Sequence, residues 1–195
     1  MTKRKQVVTA PVPEPKPGLK LDLGCGPNKR PGFLGVDARD FKGVDTVADL
    51  RQPWPWADGS VDEVHCSHFL EHLTGSERVW FFNELYRVLA PAEYGPGGNP
   101  VKGFANIIVP HWSSERAYGD PTHQWPPVVF FAFYYLSAEW RAVNAPHCGY
   151  NCNFEVGGTN AISNEWTVKN QETQQFAQMH YINVATDLQL RLVKK

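Results

Sequence analysis

Short apolar runs separated by turn residues set the rhythm of the first half of the chain. Residues 19–23 read as a buried strand that runs into the turn Gly24-Cys25-Gly26, and further strands are expected near 33–36, 46–48 and 61–67. Between the last two, Pro53-Trp54-Pro55-Trp56 with Asp58-Gly59 is a turn-rich loop. The period then changes from strand to helix. Val79, Phe82, Leu85, Tyr86 and Leu89 place one apolar stripe on a helix over 76–89, with Ser76 as its N-cap. The stretch 91–103, rich in glycine and proline, is expected to be a flexible surface insertion ahead of a fifth strand at 105–109. Farther on, 128–136 reads as a buried helix or pocket wall, 153–156 as a sixth strand, 165–181 as helix-permissive and 183–193 as a final strand. Strands alternating with helices predict an α/β fold.

Length and charge narrow this picture. A chain of 195 residues is most simply one domain with a substantial core, here 18–195, with 110–182 as substrate-facing additions. Residues 1–17 carry Pro11, Pro13, Pro15 and Pro17 and are expected to be a disordered tail; they lack the apolar stretch of a signal peptide. A net charge of −1 supplies no global field for nucleic acid or an anionic membrane, so neither is indicated as a partner. The longest apolar run, 128–136, is well short of the roughly 20 residues of a membrane span, which points to a soluble, cytoplasmic protein. Oligomeric state stays open.

The candidate chemistry starts at the glycine turn. Gly24 and Gly26 let the backbone approach a ligand at the carboxyl edge of a parallel sheet, and Asp37, eleven residues past Gly26, can accept hydrogen bonds from two ribose hydroxyls. A dinucleotide site would place a third glycine at position 29 and aim a helix N-terminus at the pyrophosphate. Position 29 is Lys29, and the link is too short for a full helix, so a ribose ligand without a pyrophosphate fits better. With so short a link, Asn28, Lys29 and Arg30 and the loop 53–56 are expected to close one face of the pocket.

Residues 21–91 carry these motifs in an order that resembles the class I S-adenosylmethionine-dependent methyltransferases of the type 11 group. The matching runs are Leu21-Asp22-Leu23-Gly24-Cys25-Gly26, Gly35-Val36-Asp37, Val47-Ala48-Asp49-Leu50, the strand ending in Ser67-His68, Phe69-Leu70-Glu71-His72, and Asn83-Glu84-Leu85-Tyr86-Arg87-Val88-Leu89-Ala90-Pro91. The resemblance implies a Rossmann-like, doubly wound, mostly parallel seven-stranded sheet whose last strand is antiparallel, here with a shortened first helix. It implies S-adenosylmethionine as cofactor, with Asp22, Gly24 and Gly26 around its methionine part and Asp37 on the ribose. It further implies Asp49 on the adenine amino group, Leu50 against the ring, and Ser67 and His68 along the cofactor wall. Asn28 and Lys29 complete the expected cofactor set.

On the acceptor side, the resemblance places Asp120-Pro121-Thr122-His123 beside the cleft, and the end of the 67–72 segment near it. An imidazole beside a carboxylate suits a proton acceptor, so His123, Asp120 and His72 are the candidate catalytic residues; a plain proline-braced turn would look the same in sequence. Trp125-Pro126-Pro127 stands in the wrong place for the motif of amino-directed DNA methyltransferases. Cys148 and Cys152 lie four apart with no second pair, so no metal site is expected. The leading function is methyl transfer to a nitrogen or oxygen acceptor of unknown identity, a small molecule being slightly favoured. A catalytically silent methyltransferase-like binding module and a nucleotide-dependent oxidoreductase are the alternatives.

Overall fold

The computed structural model describes residues 18–195, so the expected disordered tail 1–17 lies outside the described residues. In chain order the elements are β1 (Lys20–Leu23), β2 (Leu34–Asp37), β3 (Thr46–Val47), β4 (Glu63–Ser67), α1 (Gly75–Val88), β5 (Glu93–Tyr94), β6 (Pro100–Lys102), β7 (Phe104–Pro110), α2 (Ala138–Asn144), β8 (Phe154–Ile162), α3 (Asn164–Thr167), α4 (Gln171–His180) and β9 (Ala185–Lys194). Seven strands form one sheet in the order β3-β2-β1-β4-β7-β9-β8. From β3 to β7 the pairing is parallel; β9 runs antiparallel to both of its neighbours. This is the mostly parallel, Rossmann-like sheet with an antiparallel last strand that the motifs implied.

Alternation along the strands decides which face is core. Leu21, Leu23, Val64, Cys66, Ala105, Ile107, Leu190 and Leu192 are buried together, and α1 lays Phe81, Phe82, Leu85 and Val88 into the same cluster. Each of the leucine, isoleucine, valine and phenylalanine side chains contributes roughly 1.5–3 kcal/mol through burial. The alternate positions, Lys20, Glu63, His65, Asn106, Gln189 and Arg191, are polar and half-buried or exposed. Among the described residues, no helix stands in the links from β1 to β2, β2 to β3 or β3 to β4. The first helix is thus missing rather than shortened, because ten residues joining two adjacent parallel strands are used up by turns around Gly24, Gly26 and Gly32, all at positive φ.

Local chemistry moves several expected boundaries. Thr74, not Ser76, caps α1: its hydroxyl accepts from the Glu77 amide while the Glu77 carboxylate accepts from the Thr74 amide, a reciprocal capping box. The stretch expected as a flexible insertion is an exposed hairpin of β5 and β6. Its return is pinned at Gly103, where φ is 72° and an added Cβ would stand 2.6 Å from the Ala90 carbonyl oxygen, which leaves no room for a side chain. Residues 165–181 split into α3 and α4, and Asn170 caps the second of these through the Thr173 amide. The run 128–136 is a 3-10 turn over Phe130–Leu136 that buries Phe133 and Leu136 and exposes Phe131 and Tyr134.

The loop 53–56 is also corrected. Trp54 and Trp56 are buried, and Trp54 packs edge-on against Phe81. Glu84 accepts from the Trp54 amide, and Arg87 binds Glu84 through both carboxylate oxygens while donating to the Trp54 and Trp56 carbonyls. The tryptophans therefore belong to the core beneath α1, not to a wall of the cofactor pocket.

Candidate functional site

A cavity of about 620 Å³ opens at the carboxyl ends of β1, β2, β3 and β4, where open α/β sheets place their ligands. Its lining includes Gly24, Asp37, Asp49, Leu50 and His68 from the expected set. Gly24 sits at φ 68°, and a Cβ there would stand 2.6 Å from the Phe69 ring, so the turn needs glycine for both conformation and space. Its amide and that of Cys25 both bond the Val36 carbonyl, which ties the turn to β2.

Two of the three acids that line the cavity, Asp37 and Asp49, are held in place by hydrogen bonds. Asp37 takes one bond on each oxygen, from the Gly26 and Arg39 amides, both at 2.9 Å. A carboxylate offers about four acceptor positions, so two stay available for ribose hydroxyls. Asp49 is gripped by the Arg51 guanidinium through both oxygens at 2.9 Å. Those bonds hold its carboxyl below the usual range.

Other expected cofactor residues do not line this cavity. Asp22 is buried and accepts from the Arg30 amide at 2.6 Å, so it braces the glycine turn from behind. Lys29 reaches Asp45 at 2.7 Å and lays its stem against Gly35, away from the ligand space. Gly26, Asn28 and Ser67 are outside the lining as well, though the Gly26 amide fixes Asp37. The cavity is walled instead by Arg39, Phe41, Ala48, Arg51, Phe69 and Leu73. Phe69 had a sequence signal, the first residue after His68 in the family-like segment; Arg39 and Phe41 had none, since their role depends on the chain folding back after β2.

Past β4 the chain turns sharply. His68 has φ 54°, a left-handed conformation rare outside glycine and here found at the cavity edge. Its Nδ1 lies 3.2 Å from Glu71 Oε1, and its Nε2 lies 3.4 Å from Arg116, which binds Asp187 through both oxygens. A 3-10 turn, Leu70–His72, then buries Glu71 and turns His72 outward.

The segment after β7 returns to this turn. The Gln124 amide donates to the Glu71 carbonyl at 2.7 Å, Arg78 donates to the Leu70 and Pro126 carbonyls, and Thr122 Oγ1 meets His72 Nδ1 at 2.9 Å. Asp120 accepts from both the amide and the hydroxyl of Thr122, which hold its carboxyl below its ordinary value. The result is a second concavity of about 330 Å³ lined by His68, Glu71, His72, Pro110, Arg116, Gly119, Asp120 and His123. It shares His68, His72 and Asp120 with the larger cavity. The three candidate catalytic residues therefore meet on one wall: His72 and His123 stand edge to face with ring centres 4.8 Å apart, and Asp120 Oδ2 lies 4.0 Å from His123 Nε2.

His111 is buried, accepts from the Ser113 amide through Nδ1, and is pushed down by burial, so it braces a turn as a neutral ring. The four cysteines are free thiols; burial pushes Cys25 and Cys152 up to about 11, which makes them poor nucleophiles.

Residues 29–94 match the model of a methyltransferase domain family. No curated protein matches the chain. Among solved structures, a SAM-dependent methyltransferase from Archaeoglobus fulgidus is 18% identical, with 91% of this chain and 86% of that chain covered and a TM-score of 0.62. An S-adenosylmethionine-dependent methyltransferase from Mesorhizobium loti is 14% identical over 93% of both chains, with a TM-score of 0.51. Phosphoethanolamine N-methyltransferase 2 from Haemonchus contortus, solved in complex with S-adenosyl-L-methionine, is 14% identical over 91% of this chain and 49% of that chain, also at 0.51.

Proposed function

We propose that this chain, which has the fold of S-adenosylmethionine-dependent methyltransferases and matches a methyltransferase domain model over residues 29–94, moves the methyl group of S-adenosylmethionine to a nitrogen or oxygen of a small acceptor held in the concavity beside His72 and His123. The observation that carries this reading is the shared wall: the cofactor-sized cavity and the smaller one meet along His68, His72 and Asp120. A sulfonium methyl needs little activation, so what the protein must supply is an in-line arrangement of acceptor, methyl and sulfur. Two adjoining cavities with a common wall provide such a path.

In this reading the ribose lies on Asp37, the adenine lies between Asp49 and Leu50, and the methionine part runs over Gly24 toward His68. The missing helix after the glycine turn supports it against a nicotinamide cofactor, because among the described residues no helix N-terminus follows Gly26 to receive a pyrophosphate. At the acceptor, His123 donates Nδ1–H to the Ala117 carbonyl at 3.1 Å, which leaves the Nε2 lone pair to take a proton. A volume of about 330 Å³ is at the small end of ligand pockets, which favours a small acceptor over a polymer.

The test is calorimetric titration of the protein with S-adenosylmethionine and S-adenosylhomocysteine, followed by incubation with methyl-labelled cofactor and fractionated extract. Binding of both ligands and label in a small-molecule fraction is the expected result. No binding of either by folded protein refutes the proposal, and tight binding with no labelled fraction turns it into a binding module.

A further inference from the structure

The smaller concavity holds a group of side chains whose donor atoms are arranged for something other than an organic ligand. Glu71, His72 and His123 each offer one donor atom, and the three lie within 4.8 Å of one another. Glu71 is 96% buried, and its Oε2 has no hydrogen-bond partner among the described residues. A buried carboxylate oxygen left alone is costly, and such an atom marks a place where a ligand belongs.

The proton inventory of the two imidazoles points the same way. Thr122 gives its hydroxyl proton to Asp120, so Thr122 Oγ1 accepts from His72, which therefore carries its proton on Nδ1. The Ala117 carbonyl likewise keeps the His123 proton on Nδ1. In its neutral form each ring then offers an Nε2 lone pair, and each is oriented by a hydrogen bond on its other nitrogen, the arrangement that fixes metal-binding histidines. Of the positive charges nearby, Arg116 binds both oxygens of Asp187, and Arg78 donates to two backbone carbonyls while its charge is felt by Glu71 without a hydrogen bond to it.

From these observations we infer that Glu71, His72 and His123 form a binding site for one divalent transition-metal ion. Two imidazoles and one carboxylate suit Mn²⁺, Fe²⁺, Co²⁺ or Zn²⁺ better than Ca²⁺ or Mg²⁺. Donors bound to one ion at about 2.1 Å stand at most ~4.2 Å apart, so the widest donor pair must close by at least about half an ångström on loading. Asp120, whose Oδ2 lies 4.0 Å from His123 Nε2, stands where a fourth ligand would come from. The remaining positions face the concavity.

Metal binding at these residues stands without the methyl-transfer reading; one consequence rests on that reading. An acceptor oxygen on an open position of the ion would lose its proton more readily, which selects a hydroxyl over an amine as the methyl acceptor.

The experiment is calorimetric titration of the chelator-treated full chain with Mn²⁺ and with Co²⁺, the latter also read by its visible absorption. One ion per chain is expected, and Glu71→Gln, His72→Asn and His123→Asn are each expected to weaken binding by about tenfold or more. His147→Ala, an exposed histidine outside the cluster, should change nothing. Circular dichroism confirms that each variant is folded, and His72→Ala with His123→Ala replaces any that is not. No saturable binding, or binding lost in His147→Ala and kept in the cluster variants, overturns the inference. S-adenosylmethionine titrated into the same metal-free sample separates the two proposals, because either ligand can bind while the other fails.

Discussion

Replacing Gly24 by alanine tests the architecture of the cofactor turn in two separable parts. The first part is conformational: at φ 68° an alanine costs about 1–2 kcal/mol. The second is steric: the new Cβ would stand 2.6, 2.7 and 2.9 Å from three atoms of Phe69, distances at which the ring must move. Phe69 packs against Phe81 with ring centres 5.9 Å apart, so its displacement disturbs the core and costs about 1–3 kcal/mol. The single variant should therefore lose about 2–5 kcal/mol of stability. In a Phe69→Ala background the clash disappears and only the conformational part remains. A double-mutant cycle by urea unfolding should thus show Gly24→Ala costing about 1–3 kcal/mol less when Phe69 is absent. Calorimetry with S-adenosylmethionine runs alongside, and both backgrounds should bind more weakly than the parent. Equal costs of Gly24→Ala with and without Phe69 would refute the close approach of ring and turn.

Three further outcomes follow from the same geometry. Asp37→Asn keeps the shape but gives up charged acceptors for two ribose hydroxyls; calorimetry should show S-adenosylmethionine binding about 10–100-fold weaker, and an unchanged affinity would remove Asp37 from the ribose site. Thr74→Ala should cost about 0.5–2 kcal/mol in thermal unfolding, whereas Ser76→Ala should stay within about 0.5 kcal/mol, which separates the observed cap from the neighbouring serine. Burial opposes ionisation of Glu84, but the bonds from Arg87 and the Trp54 amide prevail and hold its carboxyl below its ordinary value of 4.5. Its stabilisation is therefore fully present above that value and is lost as pH falls through the lowered one. Stability measured from neutral pH down to about pH 3 should fall less steeply in Glu84→Gln, which is also less stable at pH 7 by about 1–3 kcal/mol.

Strand order and the position of the cofactor cavity were legible because they rest on local signals. An apolar strand, a glycine turn and an acid at the end of the next strand each act within a few residues of themselves, and β1, β2 and β4 lie within a residue or two of their expected places. What was not legible depends on partners distant in sequence. Trp54 and Trp56 look like pocket residues in a proline-rich loop, and become core only because Glu84 and Arg87 of α1 reach back some 30 positions to hold that loop. Lys29 looks like a cofactor contact until Asp45, folded against Gly35, captures its ammonium. Ser76 and Thr74 are both fair caps by composition; the Glu77 carboxylate, three residues past Thr74, decides between them.

The acceptor side shows the same limit more strongly and explains what the metal inference adds. Asp120, Thr122 and His123 could be singled out by their chemistry, and so could Glu71 and His72, but nothing local says that these two groups meet. They meet because the Gln124 amide donates to the Glu71 carbonyl across 53 positions, and that bond fixes the register of one turn on the other. Once they are together, the individual readings change. A lone histidine beside an aspartate is a candidate base. Two histidines with their Nδ1 protons committed to Thr122 and Ala117, grouped within 4.8 Å of a carboxylate oxygen of the buried Glu71, form a set of donor atoms in which each neutral ring offers an Nε2 lone pair. Such a set stabilises positive charge, whether on a proton taken from the acceptor or on a divalent ion that makes the acceptor release it. The metal titration distinguishes the two, because a proton acceptor needs only one of these side chains and an ion needs all three.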